Sequence, residues 1–252
     1  MRDAASARLL EVDVVSWGEI ALALGCVVLG AAVQATIGFG ASLVSIPLLL
    51  LVNPALVPGP AAVAGLTVNL IGMRAGVADA DWRGVRWAAV GLVPGTLVAA
   101  WALTTFSRPA IAVLSAAAVL VAVGVSALGL RPAGGRRVLL AAGVFSGYLN
   151  TTAGVGGPPM ALAYQDAPAK VLRSTLPSVF VVATVLSMVI LVRTGYLDAP
   201  DWRIGLLLAP GGAVGYAVAQ GWVHRIDGSR LRGAVLVVSA VSALAALARV
   251  LL

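Results

Sequence analysis

Apolar stretches free of Asp, Glu, Lys and Arg dominate the chain, over 20–73, 87–107, 109–130, 138–165, 174–192, 204–223 and 233–248. Most approach or exceed the roughly 20 residues that a helix needs to cross a 30 Å hydrocarbon core. Alternating ten-residue barrel strands are absent, which excludes an outer-membrane barrel. Gly, Pro and Arg punctuation divides the runs into ten pieces, 17–36, 41–52, 59–78, 87–106, 109–130, 138–152, 158–167, 172–192, 204–223 and 231–251. The pieces 41–52 and 158–167 are too short to span alone, and each follows a glycine cluster. The expected fold is an all-α polytopic membrane protein with about eight long helices and two short or broken ones.

The recurrence of a short piece after glycines points to a duplication. Gln34-Ala-Thr-Ile-Gly38-Phe-Gly40 aligns with Asn150-Thr-Thr-Ala-Gly154-Val-Gly156 at an offset of 116. Pro58, Arg74, Gly76 and Asp79 match Pro177, Arg193, Gly195 and Asp198 at 119, and Asp81-Trp82-Arg83 matches Asp201-Trp202-Arg203 at 120. Pro94-Gly95 pairs with Pro210-Gly211, and Ser107-Arg108 with Ser229-Arg230. Matches in one order argue for two related halves. The expected division is a tail over 1–16, a first repeat over 17–130, a cytoplasmic linker over 131–137 and a second repeat over 138–252. Five pieces per half, the short one returning the chain toward its starting side, would invert the second half.

Charge supports that topology. Only 11% of residues are charged, against about 25% in an ordinary soluble domain, and the net charge is +7. With returning short pieces and both termini outside, the inside loops 74–86, 131–137, 166–173 and 224–232 carry 11 Lys or Arg, against 3 in the outside loops 107–108 and 193–203. Without the return the split is 8 to 6, so the positive-inside rule favours inverted halves. The basic balance reads as this loop bias. No basic face or aromatic-interleaved patch points to nucleic acid, and the partners expected are the lipid bilayer and a small solute, with a homo-oligomer left open. Residues 1–16 lack a small-residue cleavage site and do not read as a signal peptide.

The chemistry concentrates at the glycine clusters. A helix broken within hydrocarbon leaves N–H and C=O groups unpaired, and such breaks persist where protein, water or solute satisfies them. A restarting helix presents N–H donors and the positive end of its dipole, which favours an anion. Two such breaks facing one midplane site are a recurring transporter arrangement. The candidate residues are therefore Gln34, Thr36, Gly38, Gly40 and Ser42 in the first half, and Asn150, Thr151, Thr152, Gly154, Gly156, Gly157 and Pro158 in the second. Asn69 joins them, because a lipid-facing amide is costly, although a helix–helix hydrogen bond explains it equally well. Glycines also permit close helix packing without any site. Thr67, Ser174, Thr175 and Ser178 are weaker polar candidates; Arg74 and Arg193 read first as snorkelling groups.

No carboxylate lies deep in an apolar run, so no buried proton relay is evident. The lone histidine, His224, sits in a basic loop, and no nucleophile–base pair suggests intramembrane catalysis. The single Cys26 rules out an internal disulfide, and neither a metal site nor a cofactor is expected. The Gly-Val-Gly-Gly-Pro-Pro stretch lacks the Lys-Ser/Thr ending of a phosphate-binding loop.

Ile37-Gly-Phe-Gly-Ala-Ser-Leu-Val-Ser-Ile-Pro-Leu-Leu-Leu-Leu51 and Ser146-Gly-Tyr-Leu-Asn-Thr-Thr-Ala-Gly-Val-Gly-Gly-Pro-Pro-Met-Ala-Leu162 resemble the two repeated signatures of the TauE/SafE family of sulfite and organosulfonate exporters. The resemblance covers residues 18–252, with Gly-Phe-Gly-Ala-Ser where many members carry a run of glycines. It implies an inner-membrane permease for a small, often sulfur-containing anion such as sulfite or sulfoacetate, with Gly38, Gly40, Gly154, Gly156, Gly157 and Pro158 lining the site. The rival readings are a permease for a cation or neutral solute and a non-transporting membrane scaffold.

Overall fold

The computed structural model describes residues 15–106 and 135–221, with isolated positions 110, 113, 117, 120, 124, 237 and 241 besides. The tail 1–14, most of the linker 131–137, and nearly all of the pieces 109–130 and 231–251 lie outside the described residues. What is described is helical, without a strand. The helices are α1 (Trp17–Ile37), α2 (Ala41–Val52), α3 (Gly59–Gly76), α4 (Trp82–Thr105), α5 (Arg136–Ala153), α6 (Gly157–Ala163), α7 (Ala169–Arg193), α8 (Ala199–Leu208) and α9 (Pro210–Gln220). Among the described residues, five stretches are long and apolar enough to cross a membrane: α1, α3 with the turn to Asp79, α4, α7, and α8 with α9. Their exposed faces carry large apolar side chains such as Leu22, Leu29, Val90, Leu97, Trp101 and Leu206, as lipid contact requires.

Local chemistry sets the helix ends. Ser16 and Glu19 form a reciprocal capping box on α1, and Asp198 with Asp201 does the same on α8. Asp81 caps α4 through the Gly84 N–H. α1 stops at Gly38 and α2 starts after Gly40, with φ of 94° and 102°, a left-handed region costly for any side chain. α5 ends likewise at Gly154, φ 69°.

Both short helices return the chain to the end it came from. Asn53, just past α2, donates from Nδ2 to Oε1 of Glu19 in the first turn of α1 at 3.1 Å. The Tyr164 hydroxyl, just past α6, donates to Asp81 at 3.0 Å, and Arg136 at the start of α5 stacks on Trp87 in that same end of α4. These two ends are opposite. α3 and α7 run antiparallel: Gly72 lies on Pro177 and Gly76 on Ser174, while Gly59 lies on Asp201 and the Tyr196 carbonyl.

Two seams join the halves, each between parallel helices. Gly91 and Gly95 of α4 face the carbonyls of Leu140 and Val144 of α5. Gly211 and Gly215 of α9 face those of Leu24 and Val28 of α1. A β-carbon at Gly91, Gly95 or Gly215 would run into the facing carbonyl, so only glycine allows this approach there, whereas one at Gly211 would sit 3.1 Å from the Leu24 carbonyl. Gly91 and Gly95 stand to α5 as Gly211 and Gly215 stand to α1. Pro94 sits inside α4 whereas Pro210 opens α9.

Candidate functional site

The two glycine turns pack against each other. Gly157 lies against the Phe39 ring and Leu43, and Gly154 lies against Ile46. Beside this junction is a polar cavity of about 20 Å³, lined by Gln34, Gly40, Ser42, Leu43, Asn69, Asn150, Val155, Gly156, Gly157 and Phe180. A second cavity of about 60 Å³ shares Ser42, Asn69 and Asn150. It runs between α2 and α3 past Leu49 and Pro58, toward the end that holds Glu19 and Asn53. A void needs about 10–15 Å³ to hold one water, so the first has room for a single small group and the second for a few. Every lining residue is uncharged.

The cavity wall is a hydrogen-bonded network that spans both halves. Gln34 Nε2 donates to Asn69 Oδ1 at 2.8 Å, and Asn69 Nδ2 donates to Thr184 Oγ1 at 3.3 Å. Asn150 Nδ2 donates to Ser187 Oγ at 2.9 Å, and Ser187 Oγ lies 2.8 Å from Thr151 Oγ1. Each half thus ties the polar residue beside its helix break to its long third helix, Gln34 to α3 and Asn150 to α7. Ser146 Oγ donates to the Gly156 carbonyl at 2.7 Å and holds the second turn in place. Gln34 and Asn69 are 3% and 8% exposed, and such buried amides are costly unless satisfied in this way.

Seven of the thirteen candidates read from the sequence line the polar cavity: Gln34, Gly40, Ser42, Asn69, Asn150, Gly156 and Gly157. Gly154 lines the larger one. The other five lie behind the wall. The hydroxyls of Thr36, Thr151 and Thr152 donate to carbonyls one turn back in their own helices, Ala32, Gly147 and Tyr148. Gly38 packs on Leu172 and Arg173, and Arg173 donates to the Thr36 carbonyl at 3.4 Å, where a cation suits the end of α1. Pro158 is buried in the first turn of α6. Pro158 and Pro159 have no N–H, so the second turn offers fewer amide donors than the first, where Gly40 opens α2 without a side-chain cap.

Thr184, Ser187 and Phe180 were not among the candidates. The one available signal was the spacing of Thr184 and Ser187 within an apolar run, which puts both on one face of α7.

The sequence model of the family described as "Sulfite exporter TauE/SafE" matches residues 22–246. The chain belongs to the TauE/SafE family. It is 34% identical over 128 residues to the "Probable sulfite/organosulfonate exporter TauE" of Cupriavidus necator, covering 47% of this chain. The match spans only half the length of that relative. No solved structure matches the chain.

Proposed function

We propose that the chain is a secondary-type permease or exporter for a small anion, a sulfur oxyanion or organosulfonate such as sulfite or sulfoacetate. One observation carries this reading: Gly40 and Gly156, one from each glycine turn, line the same polar cavity as the amides of Gln34, Asn69 and Asn150. The first-turn N–H groups of α2 and the carboxamide N–H groups supply donors suited to an oxyanion, and the dipole of α2 adds positive potential. In the shape described the cavity has room for about one water-sized group and adjoins the larger one at Ser42, Asn69 and Asn150.

On this reading the halves are inverted repeats that rock against each other about the antiparallel α3 and α7. The reciprocal glycine seams support it, as do the two returning hairpins, which enter from opposite ends. The end bearing Arg74, Arg83, Arg86, Arg136, Arg137, Lys170 and Arg173 faces the cytoplasm, and the membrane is the inner membrane.

Counterflow in proteoliposomes tests the reading. Vesicles preloaded with sulfite, sulfoacetate, thiosulfate, sulfate or acetate are each supplied with labelled anion, with Gly156→Leu as the blocked control. Accumulation of one or two sulfur anions, abolished by the substitution, is expected. A folded protein that moves none of them overturns the sulfur-anion reading.

A further inference from the structure

We propose that Phe39 sets the upper size of the anion that the site takes, an inference that rests on the anion reading of the cavity above. Phe39 is the middle residue of the first turn, between the left-handed glycines Gly38 and Gly40. Those two backbone conformations turn its ring inward, and it is 1% exposed. The ring lies against Gly157, and a β-carbon there would come within 3.3 Å of it. Gly157 and Leu43, whose Cδ1 would lie 3.9 Å from that same β-carbon, are both walls of the polar cavity. The ring therefore backs the Gly157 wall of the cavity from within the apolar cluster that includes Leu43, Val155 and Met160, and its removal would let the cavity extend between the two turns.

The second half shows what a smaller residue does at this place. Val155 stands between Gly154 and Gly156 as Phe39 stands between Gly38 and Gly40, at the same offset of 116. Val155 lines the cavity directly. The two turns thus contribute unequal middle residues to one junction, and the larger of them closes it. Removing a phenyl ring opens space on the order of 100 Å³, since a cavity of about 150 Å³ accommodates benzene. That is several times the polar cavity's present volume. Gly157 is the complement: it is bare where the ring needs room.

The substrate range of Phe39→Val and Phe39→Ala tests the inference, with Phe39→Leu as a milder change that retains the buried packing. Counterflow is measured in proteoliposomes for sulfite, methanesulfonate, ethanesulfonate and propanesulfonate, and thermal unfolding in detergent confirms that each variant is folded. The expected result is that wild-type rates fall steeply with chain length. In Phe39→Val the propanesulfonate-to-sulfite ratio rises by roughly tenfold or more, the scale of a hydrophobic pocket's discrimination per methylene. Phe39→Leu should give a smaller rise in the same direction. Adding Gly157→Ala to Phe39→Val should refill part of the space and lower the ratio again. Wild-type counterflow with a ratio unchanged in the folded variants overturns the role of Phe39 alone. A folded wild type that moves no anion of the series overturns the reading of the site, and this inference with it.

Discussion

Asn69 receives a hydrogen bond from Gln34 at 2.8 Å while its own amide nitrogen donates to Thr184. One side chain on α3 thereby couples the helix before the first glycine turn to the long helix of the other half. Both bonds are buried.

Asn69→Ala is expected to destabilise the protein by about 1–3 kcal/mol, the cost of a buried hydrogen-bonding group losing its partner. Thermal unfolding in detergent checks the stability. Counterflow at a temperature where the variant is folded should also be strongly reduced, because the amide is a cavity wall. Full activity in a destabilised variant would make Asn69 a packing residue only.

Gly156→Ala adds a methyl group 2.8 Å from Ser146 Oγ and 3.1 Å from Asn150 Cβ. The rate of counterflow should fall roughly tenfold, equivalent to about 1.4 kcal/mol in the barrier. Ser146→Ala removes the nearest obstacle, so the double variant Ser146→Ala with Gly156→Ala should recover part of the loss. The double-mutant cycle measures this coupling, expected at about 0.5–3 kcal/mol for touching residues. Additive effects would mean that the alanine acts on the turn by another route.

Tyr164 closes the second hairpin against Asp81. Burial first, and the Asp81 carboxylate second, push its phenol above its ordinary range. A raised acid contributes its stabilisation fully below the unfolded value near 10 and loses it as pH climbs through the folded one. Tyr164→Phe should therefore cost about 1.5–3 kcal/mol. The cost should be equal at pH 7 and pH 9 and shrink only above about pH 10. Melting curves of both proteins across that range give the comparison, and a difference that disappears by pH 9 would contradict the assignment.

Opposed ends predict opposed labelling. In a Cys26→Ser background, Asp79→Cys should react with an impermeant thiol reagent only when the cytoplasmic face is accessible. Asp198→Cys should react only from the other side. Labelling of both from one side would contradict inverted halves.

Much of the site was legible in the sequence because its signals are costly. A carboxamide such as Asn69 or Gln34 in an apolar run demands a partner, and a glycine pair followed by a new apolar run marks a broken helix. Thr184 and Ser187 were harder to read, since a hydroxyl can satisfy itself on its own helix, as Thr151 and Thr152 do. For the same reason the three threonines beside the breaks looked like ligands and instead bond their own helices.

The sequence by itself determined the apolar, helical environment and the glycine interruptions between helices, because each follows from the cost of placing a polar or unpaired group in hydrocarbon. Only the tertiary structure decided which faces meet. It brought Gly40 and Gly156 to one cavity, set Asn69 between Gln34 and Thr184, and placed the ring of Phe39 on Gly157. Those choices depend on close packing between helices far apart in the chain, where a few glycines fix the register and the periodicity of one helix carries no record of its neighbour.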